Sequence, residues 1–207
     1  AAARTRFGRM TKTVLFWRHG QTDFNVAGRF QGQSDVPLND TGREQADQVA
    51  RRLAELGPEL IVSSDLSRAA ATADSLATRV AVEPVRDERL RETAFGEWEG
   101  STRAEVAETW PDELAEWASG ADIAPPGGES RTQSGRRVAD AITDIVQSAE
   151  ASTIAIVAHG AVLRAAAEIL LEMSGTGRLG VLGNCGHGEF GYTGDQWVLR
   201  SWGTLSH

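Results

Sequence analysis

Lysine is almost missing from this chain of 207 residues: Lys12 stands alone, and arginine supplies every other basic side chain. Cysteine is as scarce, and a single residue, Cys185, excludes an internal disulfide framework and is expected to be a small buried or loop residue. No apolar run approaches the ~20 residues that span a bilayer. Residues 1–10 carry Arg4, Arg6 and Arg9 and no apolar stretch long enough for the core of a signal peptide. These absences point to a soluble, cytoplasmic protein, with residues 1–12 a disordered extension or expression remnant and residues 13–207 one domain. The formal net charge of −8 sets the global field against nucleic acid and anionic membranes, so neither is an expected partner. An anionic small molecule would have to be held by local arginines. A homodimer is left open.

What is present is an alternation of strand-like and helix-like segments. Residues 14–17 and 154–158 are short, apolar and rich in β-formers, so each reads as a buried strand. Ala46, Val49, Ala50, Leu53 and Leu56 predict a helix stopped by Gly57-Pro58. Residues 60–62 predict a strand, and residues 67–80 an alanine-rich helix suited to close packing. Residues 82–85 read as an edge strand broken by Pro84, residues 90–100 as an exposed loop, and residues 101–119 as helical with an interruption at Pro111. A turn at residues 125–128 leads to a helix over residues 130–149 with Ser130 as N-cap. A further helix over residues 161–173 and a hairpin of residues 188–192 against 197–202 complete the chain. The expected fold is α/β, three-layered, with a mostly parallel sheet and helices on both faces.

Chemistry-bearing residues follow the strands. Arg18-His19-Gly20 comes directly after the first apolar run and His159-Gly160 directly after the second. In open α/β sheets, that strand end is where ligands bind. A neutral imidazole can attack phosphorus when its other nitrogen is held by an acceptor, which makes His19 the candidate nucleophile. Arg18 is the candidate grip on phosphoryl oxygens, with Thr22 and Asn25 lining the rest of the pocket. Ser64-Asp65-Leu66-Ser67-Arg68 again follows a strand and brings Arg68 to a helix start at the same edge. His159 can donate to the phosphoryl group as charge builds in the transition state. A leaving alkoxide needs a proton, and Glu92, Glu97 and Glu99 are all candidates to give it. The two histidines lack a metal-ligand spacing and Cys185 has no thiol partner, so no metal is expected. His187 and His207 read as loop and tail residues. Trp98, Trp110 and Trp117 are candidates for pocket walls or core, the last two lying seven residues apart on one helical face.

Four stretches together resemble the ordered signature of the histidine phosphatase superfamily, in its phosphoglycerate-mutase-like branch. They are Arg18-His19-Gly20-Gln21-Thr22-Asp23-Phe24-Asn25, Ser64-Asp65-Leu66-Ser67-Arg68-Ala69, Leu90-Arg91-Glu92 with Phe95-Gly96-Glu97-Trp98-Glu99-Gly100, and Ala158-His159-Gly160. The resemblance implies a phosphoglycerate-mutase-like fold and phosphorylation of His19 in a covalent intermediate. It makes Arg18, Arg68 and His159 the rest of the phosphate pocket and Glu92 the proton donor. Asn25 and Gly160 would lie near the phosphate and Gln31-Gly32 at the substrate rim, with no metal or organic cofactor.

The same resemblance covers both phosphatases and phosphoglycerate mutases. The stretch between Gly100 and Pro125 is short and acidic and offers only Arg103 as a base, which favours hydrolysis over transfer back to a bound glycerate. Gln31-Gly32-Gln33, Leu90-Arg91-Glu92-Thr93 and Gly127-Gly128-Glu129-Ser130-Arg131 are similar to actinobacterial glucosyl-3-phosphoglycerate phosphatases. A phosphoglycerate or sugar-phosphoglycerate ester is therefore the expected substrate, with a cofactor-dependent phosphoglycerate mutase as the alternative. A non-catalytic phospho-ligand binding protein on the same fold would be marked by loss of His19 or Glu92, and both are present.

Overall fold

Alternate residues of β1 (Lys12–Arg18) face opposite sides of the sheet, and both sides are covered. Val14 and Phe16 pack into one apolar cluster and Leu15 and Trp17 into another, all four fully buried. In the later strand over Thr153–Ala158, Ile154, Ile156 and Ala158 join the first cluster and Ala155 and Val157 the second. Strands buried on both faces belong at the centre of a helix-flanked sheet. The computed structural model, which describes residues 11–174 and 177–204, places them there, parallel and adjacent. The expected extension lies outside the described residues except for Thr11 and Lys12, and Lys12 already belongs to β1.

The sheet has six strands in the order β3-β2-β4-β1-β5-β6. β2 (Leu60–Ser63), β3 (Val85–Arg86) and β4 (Thr153–Ala158) run parallel to β1. β5 (His187–Tyr192) and β6 (Trp197–Thr204) form an antiparallel hairpin on the other side of β1. The helices are α1 (Asp23–Val26), α2 (Asp40–Ala54), α3 (Ser67–Val80), α4 (Arg103–Thr109), α5 (Pro111–Ala118), α6 (Arg131–Ser148) and α7 (Gly160–Leu170). α2 and α3 cover one face through Val49, Leu53, Ala73 and Leu76, and α6 and α7 the other through Val138, Ile142, Val162 and Leu163. Each such large side chain contributes about 1.5–3 kcal/mol when fully buried.

Local chemistry sets the helix starts. Asn39 accepts the Gly42 N–H at the head of α2 (2.9 Å), and Thr102 and Ser130 form capping boxes with Glu105 and Gln133. Four expectations are corrected. Leu56 lies beyond the end of α2, past which Gly57 turns with φ 61°, and is 46% exposed. The edge strand is only Val85–Arg86, because Pro84 has no N–H to continue the ladder. α7 stops at Leu170, and Glu172 sits just past it at φ 52°. Residues 90–100 are not exposed throughout: Leu90, Phe95 and Trp98 are buried, the last two with Val106, Leu114 and the edges of Phe30, Trp110 and Trp117 in a separate aromatic cluster.

Candidate active site

The strand ends are level. His19 N–H donates to the Ala158 carbonyl (3.0 Å) and Ser64 N–H to the Val157 carbonyl (2.9 Å), extending the ladders one residue past the strands. Residues far apart in sequence therefore meet at one edge, and the His19 and His159 rings lie 5.2 Å apart, inclined at 60°. Two glycines allow the loop after His19 to lie against α2. A Cβ on Gly20 would fall 2.3 Å from the Gly42 carbonyl oxygen, and one on Gly42 would fall 2.0 Å from that of Gln21.

His19 Nδ1 lies 2.7 Å from the Gly20 carbonyl oxygen, which can only accept. The proton is thus on Nδ1, and Nε2 keeps its lone pair. Burial, then the charges of Arg68 and Arg18, push the His19 pKa well below the ordinary histidine value, so the ring is neutral at pH 7. His159, fully buried at the head of α7, is held neutral by the same causes, and neither ring nitrogen has a partner. Arg68 is fully buried and donates to the carbonyls of Ser34 (2.8 Å) and Gly32 (2.7 Å). Arg18 donates to the Leu182 carbonyl (2.6 Å). The Nε atoms of both arginines are enclosed and unpartnered. The two guanidinium groups and the His159 imidazole, with donors to spare, make with the His19 Nε2 lone pair a cradle for a small anion.

Of the three candidate acids, Glu92 alone reaches this edge. Its Oε1 accepts the N–H groups of Thr93 (2.9 Å) and Val162 (3.1 Å), and its Oε2 that of Ala161 (3.2 Å), at the start of α7. Glu97 is exposed. Glu99 is a tie between loops: Oε1 accepts the N–H groups of Gln33 (2.9 Å) and Phe95 (3.0 Å), and Oε2 the N–H (2.9 Å) and hydroxyl (2.7 Å) of Ser34. Arg137, absent from the sequence reading, clamps the acid loop. It donates to the carbonyls of Arg89 (2.8 Å), Arg91 (2.9 Å) and Glu92 (3.3 Å) and pairs with Glu129 (2.7 Å), which itself accepts the Ala94 N–H (2.9 Å).

The remaining predicted residues form a rim around the cradle. Thr22 is buried and its hydroxyl donates to Gln31 Oε1 (2.9 Å), while Asn25 Oδ1 accepts the Thr22 N–H (3.0 Å). Gly32 has φ 52°, and a Cβ there would fall 2.0 Å from Glu99 Oε1. Gly160 lets Arg18 lie close, since a Cβ would come 3.1 Å from its Nε. The segment before β5 was missed altogether. Besides Leu182, it supplies Asn184, whose Nδ2 donates to Asn25 Oδ1 (3.1 Å), the Cys185 N–H, which donates to the His19 carbonyl (3.1 Å), and the Gly186 carbonyl, which accepts the Arg18 N–H (3.0 Å). No local pattern marks these contacts, which arise only because β5 docks beside β1. His187 begins β5 and is not a loop residue; His207 lies outside the described residues. Trp98 is core, whereas Trp117 walls a cavity beside Glu92. Among the described residues no helix is long and apolar enough to cross a membrane.

Comparison with known proteins gives the family and the fold. The family model of the histidine phosphatase superfamily (branch 1) matches residues 14–205. Glucosyl-3-phosphoglycerate phosphatase of Mycobacterium tuberculosis is 36% identical over 198 residues, covering 92% of this chain and 88% of that protein. A probable phosphoglycerate mutase of Escherichia fergusonii is 33% identical over 203 residues, covering 94% of each. The solved structure of a mycobacterial glucosyl-3-phosphoglycerate phosphatase with VO3 superposes with a TM-score of 0.88 at 36% identity, over 94% of this chain and 100% of that one. The chain thus belongs to branch 1 of the histidine phosphatase superfamily and, with it, to the phosphomonoester hydrolases.

Proposed function

We propose that the chain hydrolyses a phosphoglycerate or sugar-phosphoglycerate ester through a phosphohistidine on His19, with Glu92 as proton donor. The observation that carries this reading is the neutral His19, tautomer set by the Gly20 carbonyl, facing unpartnered donors of Arg18, Arg68 and His159. Nε2 attacks phosphorus, the P–N bond forms, and the P–O ester bond breaks as Glu92 in its acid form protonates the leaving oxygen. The arginines and His159 stabilise the equatorial oxygens, which carry charge in the transition state. A water then attacks the phosphohistidine while the Glu92 carboxylate takes its proton. The P–N bond breaks, phosphate leaves, and His19 is neutral again.

The ester preference is supported by the glucosyl-3-phosphoglycerate phosphatases at 36% identity over most of the chain. The test is phosphate release, with EDTA present, from glucosyl-3-phosphoglycerate, 3-phosphoglycerate and p-nitrophenyl phosphate, against His19→Ala and Glu92→Gln. Loss of all turnover in His19→Ala and a fall of about 10²–10⁴-fold in Glu92→Gln are expected. Turnover that survives His19→Ala overturns the reading. Transfer between positions of 3-phosphoglycerate without phosphate release would make the chain a mutase.

A further inference from the structure

A cavity of about 250 Å³ opens on the acid side of the site. Thr93 and Ala161, whose N–H groups hold the two oxygens of Glu92, line it. So does Val181, next to the residue whose carbonyl holds Arg18. An ester placed with phosphorus at His19 and its bridging oxygen at Glu92 would send its alcohol into this space. Phe95 and Trp117 form an apolar wall, and Arg131 and Arg164 supply the charge.

Arg89, Arg91 and Arg137 each hold a carboxylate, but among the described residues no acid lies within ion-pair distance of Arg131 or Arg164. Arg164 has an enclosed, unpartnered Nε. The Arg131 guanidinium sits 4.4 Å from the Trp117 ring centroid and donates to the carbonyls of Trp117 (2.8 Å) and, at the limit of a hydrogen bond, Ala121 (3.5 Å), which together fix its plane. Nearby acids are engaged elsewhere: Asp122 accepts the Thr132 N–H (2.9 Å), and Glu168 accepts those of Gly177 (3.0 Å) and Leu179 (2.9 Å). Burial and the charge of Arg164 pull the Arg131 pKa below its ordinary value, with only Asp122 opposing. Two like charges, neither of them in an ion pair and one with an enclosed, unpartnered Nε, leave a place for an anion from outside.

We infer that Arg131 and Arg164 form a subsite for a carboxylate carried by the leaving alcohol, so that the preferred esters are those of small hydroxy acids. This rests on the phosphatase reading above. The Arg164 guanidinium fork suits a carboxylate, Arg131 adds its charge beside it, and the apolar wall suits a short carbon chain. A second cavity of about 260 Å³, sharing both arginines and extending along α6 and α7, gives room for a larger substituent on the same acid.

Glycerol 3-phosphate differs from 3-phosphoglycerate in bearing a hydroxymethyl group where the latter has its carboxylate, so the ratio of their kcat/KM values reads the subsite. The ratio should favour 3-phosphoglycerate by about 10-fold or more. In Arg131→Gln and Arg164→Gln the loss on 3-phosphoglycerate should exceed that on glycerol 3-phosphate by a similar factor, with partial recovery in Arg164→Lys. Equal losses on both esters, or no loss, overturn the inference, as does a bisphosphate preferred over 3-phosphoglycerate. If neither ester is turned over, nor glucosyl-3-phosphoglycerate or p-nitrophenyl phosphate, the phosphatase reading fails. Calorimetric titration with both compounds still decides the subsite, since affinity that does not depend on the carboxylate refutes it.

Discussion

Glu99 holds Ser34 twice, through its backbone N–H and its hydroxyl, and the carbonyl of that same Ser34 receives Arg68. A carboxylate with no contact to the anion cradle thereby sets the position of its most buried cation. In Glu99→Gln an amide N–H₂ must face donors, and the loop over residues 32–34 loosens. The expected result is inhibition by inorganic phosphate weakened about 10- to 100-fold with a matching rise in KM and a smaller change in kcat. Phosphate inhibition constants check this, and an unchanged constant in a folded variant refutes the relay.

Arg137 predicts a different signature. Arg137→Ala frees the carbonyls of the acid loop and leaves Glu129 without its cation. The fall should appear mainly in kcat, about 10- to 100-fold, because proton donation by Glu92 suffers more than phosphate binding. Stability should drop by about 2–3 kcal/mol in denaturant unfolding. A loss confined to KM would show that the clamp does not serve the acid.

Acid should destabilise the fold well before the carboxylates titrate. His19 and His159 have folded pKa values well below the unfolded value of about 6.5, so the unfolded chain binds more protons as pH falls through that value. The stability contributed by their neutral forms is fully present above about pH 6.5 and is lost below it, at up to about 1.4 kcal/mol per pH unit for each ring. Asp65, Asp87 and Glu129, whose pKa values are lowered in the fold, add their losses only near and below about pH 4.5. Urea unfolding between pH 4.5 and 7 measures the slope, and His159→Asn should reduce it by about one proton.

Cys185 should resist thiol reagents although its backbone touches the nucleophile's. Burial pushes its thiol up to about 12, which leaves almost no thiolate at pH 8. Native protein should show under about 5% modification by a disulfide reagent over minutes and one equivalent after unfolding. Rapid native labelling with loss of activity would contradict the burial.

Legibility from sequence tracked how local each cause is. The helix over residues 67–80 was readable to the residue because its alanine spacing is local, although its head is held by distant Asp35, which accepts the Ser67 N–H. His19 and His159 were readable as partners because each follows a doubly buried strand, and such strands end at the same edge. Residues 90–100 were misread because Leu90, Phe95 and Trp98 have no regular spacing, although two aromatics in a supposed exposed loop were a signal for burial against Trp117. Glu92 could not be told from Glu99 by chemistry alone, since what separates them is whether α7 or the loop of Ser34 supplies their donors. Arg131 is visible in sequence only as part of the stretch from Gly127, and Arg164 carries no local signal, because it is the packing of α6 beside α7 that brings the two together.

The segment joining α7 to β5 carries none of the recognisable motifs, yet it cradles the backbone of Arg18 and His19 from the far end of the chain. A copy of this gene interrupted after α7 would still encode all four motif stretches, and its product would lack the Cys185 N–H and the Gly186 carbonyl that hold the backbone of His19 and Arg18. Motif inventories of shortened or fused relatives will therefore overcount working enzymes unless the final hairpin is also intact.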